Sequence, residues 1–356
     1  MASLDGMPYS GCDHLLGRAG LQTYVATPLL AKCAQEDDPC YIYSQFNDLH
    51  REDQFDSDIW NNNDCFSIED LSPFFDESVI TLYYLPIDKE FQLYERAWLE
   101  DMFQCRIECK PFTTMEDAEE DAWFFIQRPH SAFWSKTLTQ STKPFRVLHL
   151  SDEFLSDDIS CYTHPLCKGV IRNYVRADLI DVPHLLTIPL GYHYRHSGSQ
   201  SIEHRKWVWS FHGTDWCERS QQLIAFQEYS PYSCRLQRTW NDPNGTKENE
   251  YLEILGNSQF CPILKGNNME TFRLYEALEA GTLPLFGPTI SSDFLAWIKQ
   301  HINLSAWYDW CDRESMNLSN EIKIKAQTEM MAQWTQWKRD IQKACHNIIY
   351  EGRLKN

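Results

Sequence analysis

Short apolar runs alternating with amphipathic segments limit this chain's fold more than any other feature. VITLYYL (79–85), AWFFI (122–126) and FRVLHL (145–150) are each brief, apolar and bounded by polar or turn residues. Between the first two lies FQLYERAWLEDMF (91–103), which has the spacing of a helix. Strands that read as unbroken apolar runs, with helices between them, predict parallel α/β packing. VIRNYV (170–175) and HLLTIPLGY (184–192) continue the series.

A polar, Ser-containing stretch, SGSQSIEHRK (197–206), is the best candidate for a linker. After it KWVWSFHG (206–213) reads as a strand and glycine turn, followed by a helix over TDWCERSQQLIAFQEY. At 356 residues the chain exceeds what one core usually supports. Two Rossmann-like α/β domains are therefore expected, over 1–199 and 200–335, with 336–356 crossing back as a helix onto the first. The tail from Glu321 to Tyr350 looks helical. Met330, Trp334, Trp337, Ile341, Cys345 and Ile348 recur at helical spacing, a stripe for packing. Ligands of open parallel sheets bind beyond the carboxyl ends of the strands, so both halves could face one cleft.

Composition removes several function classes. The formal charge of −19 repels a polyanion, and no basic patch offsets it, so nucleic acid is not an expected partner. The acidic run EDAEED (116–121) reads as a solvated face. No segment has the ~18–20 apolar residues of a membrane span. The 13 cysteines lack zinc-type pairing and read as reduced thiols. Sequons at Asn244, Asn303 and Asn317 would matter only in a secretory lumen.

The most informative stretch is SQFCPILKGNNMETFRLYEALEAGTLPLFG (258–287). Asn267 and Glu270 have capping-box spacing, Gly281 suits the position after a helix, and TLPLF follows as a strand. Arg273 and Glu276 share one face of the intervening helix. Arg273 lies in the first turns, where the amide groups already favour an anion, and a guanidinium there can clamp phosphate oxygens. Glu276, one turn on, can accept from a vicinal diol such as ribose. On spacing alone the two could instead pair with each other.

This stretch resembles the donor-binding signature of exostosin-type glycosyltransferases (glycosyltransferase family 47 and relatives). VLHLSDE (147–153), VIRNYV, IPLGY (188–192) and WSFHGTDWCERSQQL (209–223) resemble the same group in the same order. Where that family has an SPR-type triplet, this chain has TFR. A fucosyltransferase-type signature shares the G-x-x-P ending but carries Glu-Lys where Phe272 and Arg273 stand. The resemblance implies a GT-B fold, with the acceptor on the first domain and a UDP-sugar on the second. Among the UDP-sugars of that family UDP-xylose is the first guess for the donor; a single carboxylate base and cationic side chains in place of a metal set the expectation of an inverting, metal-independent transfer to a glycan hydroxyl. A GDP-sugar enzyme of the fucosyltransferase type, or a binding module without turnover, are the alternatives. Most members of that family sit in the Golgi behind a membrane anchor, and no such segment is read in this sequence. That sets the expectation of a soluble cytoplasmic enzyme, or a Golgi lumenal one if an anchor lies outside this sequence. Nothing in the residues speaks to oligomeric state.

Glycosyl transfer needs a neutralised diphosphate and a base for the acceptor hydroxyl. DSD (56–58) has the form of a metal-binding triplet, but its polar flank reads as surface. No metal or other cofactor is expected. Gly213, Arg219, Lys265, Asn268, Arg273 and Glu276 are the expected donor-binding residues. Asp152, then Glu153, at the end of strand VLHL, are the candidate bases, though either could cap a helix. His149 reads as a core histidine. Arg172, Asn173, Tyr192 and His193 are placed on the acceptor side, with Arg172 and Asn173 alternatively bracing the interface.

Overall fold

The apolar runs assemble into two parallel sheets. The structure, a computed structural model, describes residues 79–350 apart from 87–92, 129, 180–181, 183, 197, 240–241, 305–308 and 310. All belong to one compact unit, Glu77–Asn356. The first sheet contains β1 (Val79–Tyr84), β2 (Arg106–Pro111), β3 (Ala122–Ile126), β4 (Phe145–His149), β5 (Cys167–Arg172) and β6 (Leu185–Thr187), in the order β2-β1-β3-β4-β5-β6. The second holds β7 (Trp207–Thr214), β8 (Tyr232–Gln237), β9 (Ser258–Ile263) and β10 (Leu283–Phe286), in the order β10-β9-β7-β8. Two parallel α/β sheets joined by a long final helix are the expected GT-B arrangement.

β3 and β4 are buried at every position because they lie inside the sheet and are covered on both faces. β2 and β8, which the sequence reading passed over, are edge strands. RIECKP exposes Arg106, Glu108 and Pro111 in turn, and YSCRLQ has no fully buried residue. A half-solvated edge leaves no continuous apolar run to find.

Strand order reverses between β1 and β3, and again between β7 and β9. At such a reversal neighbouring loops leave in opposite directions and open a crevice at the carboxyl ends. Each sheet therefore has one built-in place for a ligand.

The first sheet carries α1 (Arg96–Phe103) and α2 (Ser131–Leu138). The second carries α3 (Arg219–Ile224), α4 (Glu248–Gly256), α5 (Phe272–Glu279) and α6 (Ser292–His301), and α7 (Asn320–Tyr350) closes the chain. The stripe on α7 packs as expected from Met330 to Cys345, but the last fully buried place goes to Ile349, with Ile348 lying over Gly169. Its first turns reach the second sheet, where Gln327 Nε2 donates to the Gly281 carbonyl at 2.9 Å. Trp334 then stacks on Trp98 of α1 at 5.7 Å, and Gln342 Nε2 donates to the Asp101 carbonyl at 3.1 Å. One apolar cluster accordingly runs from Leu82 and Trp98 through Tyr275 and Trp334 to Phe211. Among the described residues no helix is long and apolar enough to cross a membrane.

The segment 197–206 joins the sheets but is clamped rather than loose. Arg205, 5% exposed, donates to the carbonyls of Ser258 (2.7 Å), Ala280 (2.6 Å) and Gln200 (2.9 Å) and to Thr282 Oγ1 (2.7 Å). Its polar composition, read as linker chemistry, is the chemistry of a buried junction.

Candidate functional site

The reversal between β7 and β9 is where most of the expected donor-binding residues meet. Arg219 opens α3 and is 9% exposed. Its Nη1 donates to the Thr214 carbonyl (3.0 Å), Nε to Lys265 (3.1 Å) and Nη2 to Leu264 (3.3 Å). All three nitrogens are thus spent on the strand ends they tie together. Burial, and then the charge of Arg273, pull its pKa down to about 10. Arg219 builds the crevice instead of reaching across it.

Arg273 is different. It is half-buried in the first turn of α5, its guanidinium lies 4.0 Å from the Phe211 ring centroid, and Nη2 donates to the His212 carbonyl at 2.6 Å. Gly213 is a glycine for room, because a Cβ there would collide with Nη2 of Arg273. No ion pair joins Arg273 to Glu276. Glu276, 4% exposed, accepts instead from the Tyr251 hydroxyl (2.6 Å) and the Tyr194 amide (3.3 Å). Both its oxygens already have partners, so the structure engages it within the protein rather than offering a bare diol acceptor.

The start of α5 departs from the expected capping box. Thr271 is the residue before the first turn and makes no side-chain cap, and no acid stands in that turn. Asn268 Oδ1 accepts from the Glu270 amide at 3.0 Å, while Glu270 turns inward to the Leu190 amide (2.7 Å) and the Tyr275 hydroxyl. The hydroxyls of Thr214 and Thr271 are buried with no partner among the described residues. The two orphan hydroxyls and Arg273 lie at the end of β7 and the start of α5, and no carboxylate is within ion-pair distance of Arg273 among the described residues. A helix tip with this surplus of donors and positive charge is chemically an anion site.

On the first sheet the two candidate bases part company. Asp152 is wholly buried. Oδ2 accepts from Arg172 (2.8 Å) and Arg176 (3.1 Å), and Oδ1 from the amides of Ser156 (2.9 Å) and Asp157 (3.1 Å). Burial alone would raise its pKa, but the Arg172 and Asp157 hydrogen bonds outweigh it and hold the carboxyl below its ordinary value. A saturated, buried carboxylate has no free lone pair for a substrate proton, which reverses the expected order of the two acids. Arg172 and Asn173 take the bracing alternative: Arg172 holds Asp152, and Asn173 Oδ1 accepts from the Ser151 amide at 3.2 Å. His149 is a core residue, 2.6 Å from the Tyr162 hydroxyl and 3.0 Å from Asp157.

Glu153, the next residue, is half-buried and faces the second sheet. Its Oε2 accepts from Asn267 Nδ2 at 2.7 Å, and its carbonyl from Asn268 Nδ2 at 2.8 Å. Asn268, expected on the donor, therefore spans the two halves. His193 also lies at this junction, Nδ1 being 2.7 Å from the Tyr94 carbonyl and its ring 5.7 Å from Phe272. Tyr192 does not: it is fully buried, donates to Asp101 Oδ2 at 2.7 Å and packs edge-on against Trp98. Alternation after a strand sends successive side chains opposite ways, so only one of the pair could line the crevice.

The sequence reading missed Glu95. It stands just before α1 on the connection leaving β1, at the first sheet's own reversal, and is 4% exposed. Burial, with a smaller contribution from the Glu153 charge, raises its pKa to about 7. An acid inside an amphipathic stretch gives no signal of this without the strand order. DSD (56–58) lies outside the described residues.

No family model matches the chain, and no curated protein matches it. Among solved structures it is similar to a crystal structure of an alpha1,3-fucosyltransferase, at a TM-score of 0.43 and 13% identity, over 76% of this chain and 90% of that one.

Proposed function

We propose that the protein is a glycosyltransferase that moves a sugar from a nucleoside diphosphate sugar to a hydroxyl of a glycan acceptor. The observation that carries this reading is the tip of α5, where the Arg273 guanidinium lies over Phe211 with no carboxylate in ion-pair distance among the described residues. A diphosphate lying there meets the guanidinium, the amides of the first turn, the hydroxyls of Thr214 and Thr271, and Lys265. Those groups neutralise the charge that grows on the leaving diphosphate, the work a divalent cation does in other transferases. Glu153 is the base: it faces the donor loop and keeps lone pairs beyond its bond to Asn267. The acceptor oxygen forms its bond to the anomeric carbon as the bond to the diphosphate oxygen breaks. The proton passes to the Glu153 carboxylate and the electron pair leaves with the diphosphate. A single displacement inverts the anomeric configuration. The exostosin-like order of motifs favours a UDP-sugar, with UDP-xylose the first to try.

A thermal-shift comparison of UDP and GDP tests the reading. At about 100 times Kd the bound nucleotide adds roughly 2.7 kcal/mol of stability. That gain is expected to vanish in Arg273→Ala. Equal stabilisation of the variant would remove the proposal's foundation, and a response to GDP alone would move the donor to the guanine series.

A further inference from the structure

The connection leaving β1 runs over the first sheet's reversal, the place where that sheet can hold a ligand. Tyr94 lies on this connection, and its side chain is 38% exposed. The turn that carries it is nevertheless fixed. The Arg96 amide donates to the Leu93 carbonyl at 3.2 Å, and the Leu99 amide to the Glu95 carbonyl at 2.9 Å.

Beside Tyr94 stands His193. The two ring centroids are 5.5 Å apart at an interplanar angle of 67°, edge to face, and His193 Nδ1 lies 2.7 Å from the Tyr94 carbonyl. The same imidazole is 5.7 Å from the ring of Phe272, the first residue of α5. A seam of rings thus leads from the exit of β1 to the helix tip that carries Arg273. The second sheet holds this seam in place. The Leu190 amide donates to Glu270 Oε1 (2.7 Å) and the Tyr194 amide to Glu276 Oε1 (3.3 Å), so two carboxylates grip the backbone on either side of His193. Gly191, at φ +74°, passes so close to Trp98 that a Cβ would overlap the indole. The loop before α5 that supplies Glu270 also holds Glu153, through Asn267 and Asn268.

An exposed aromatic ring on a fixed backbone offers a large, flat, amphipathic contact at little entropic cost. The C–H face of a pyranose is its complement, since the sugar covers that face while its hydroxyls stay at the rim in water. A linear polyol has the hydroxyls without the face. Resting on the function proposed above, we infer that Tyr94, braced by His193, is the platform on which a pyranose ring of the acceptor stacks. The inference deepens the transferase reading by naming the acceptor-sugar subsite, which that reading leaves unassigned beyond His193.

Saturation-transfer NMR on the full chain tests this without requiring turnover. The probes are cellobiose, lactose and maltose, with sorbitol as the polyol that has no ring, each with and without UDP. At least one disaccharide is expected to receive saturation on its C–H protons, and sorbitol none. Tyr94→Ala, a change at an exposed side chain, is expected to weaken that disaccharide about tenfold or more, and Tyr94→Trp, which restores a flat face, to bring it back within about threefold of the parent. Binding indifferent to Tyr94→Ala overturns the inference. So does a parent protein that saturates none of the three sugars, or saturates sorbitol as strongly. Failure of the transferase reading looks different: neither UDP nor GDP then stabilises the parent protein in the thermal-shift comparison, whatever the sugars do.

Discussion

Replacing Asp152 and Glu153 one at a time separates a carboxylate that holds the fold from one that does chemistry. Asp152→Ala removes four hydrogen bonds from a fully buried oxygen pair and leaves Arg172, itself wholly buried, without its counter-charge. Breaking a buried ion pair from one side costs about 3–5 kcal/mol, because the partner's charge stays desolvated. For a unit of this size that lowers Tm by on the order of 10 °C. Glu153→Gln keeps the shape, the half-buried position and a hydrogen bond with Asn267, so its stability should stay within about 0.5 kcal/mol of the parent. Its transfer activity is expected to fall by 100-fold or more, the usual contribution of a positioned base being ~10²–10⁴. Urea denaturation and nucleotide release from UDP-sugar, measured on both variants, give the two-way contrast. An Asp152→Ala protein as stable as the parent but inactive would return the base to Asp152. A fully active Glu153→Gln protein would leave the proposed mechanism without its proton acceptor.

Two further outcomes follow from buried charge. Glu95 and Glu270 both have pKa values raised to about 7, chiefly by burial. Each favours the folded state least once ionised, so stability is greatest below about pH 4.5 for these groups and declines as pH rises to about 7, by about 3 kcal/mol apiece. His212, whose pKa burial pulls down to about 4, works the other way, so the test is the difference between parent and Glu95→Gln in urea denaturation. The parent's stability relative to the variant should fall as pH rises from 5 to 8, and a flat or rising difference contradicts the burial of Glu95. Arg205→Ala leaves the Ser258 and Ala280 carbonyls without their donor, and charged hydrogen bonds lost at a buried site predict a loss of about 3–5 kcal/mol in denaturation. Arg205→Lys, which cannot reproduce the planar fork, should recover less than half of it.

What the sequence made legible was set by how completely each element is buried. β3 and β4, buried throughout, could be read to within a residue of their ends, and Gly281 could be read as the stop of α5. Its φ of +62° needs a residue without a Cβ, and the Thr282 amide donates to the Ala277 carbonyl at 2.8 Å, the hydrogen bond of a helix closed that way. The edge strands β2 and β8 were invisible for the opposite reason, and so was the clamp at 197–206, whose polar residues are buried by partners far along the chain. The same limit divided the site. Arg273 was findable because helix start and glycine turn are local patterns, whereas Asp152 and Glu153 differ only in which way a turn points them. The outcome there depends on Arg172 and Arg176, some twenty residues away in sequence and on the neighbouring strand's exit. Glu95 required still more, since its place follows from the order of six strands. A reversal of strand order is fixed only when non-local pairs form, yet it decides where each sheet can hold a ligand. In this protein the second sheet's reversal gathers Arg219 and Arg273, and the bond between Asn267 and Glu153 sets the exit of β4 against the loop before α5. A donor that departs as an anion and an acceptor that must lose a proton need a cation and a carboxylate on opposite sides of one reacting carbon, which is the pairing proposed for Arg273 and Glu153.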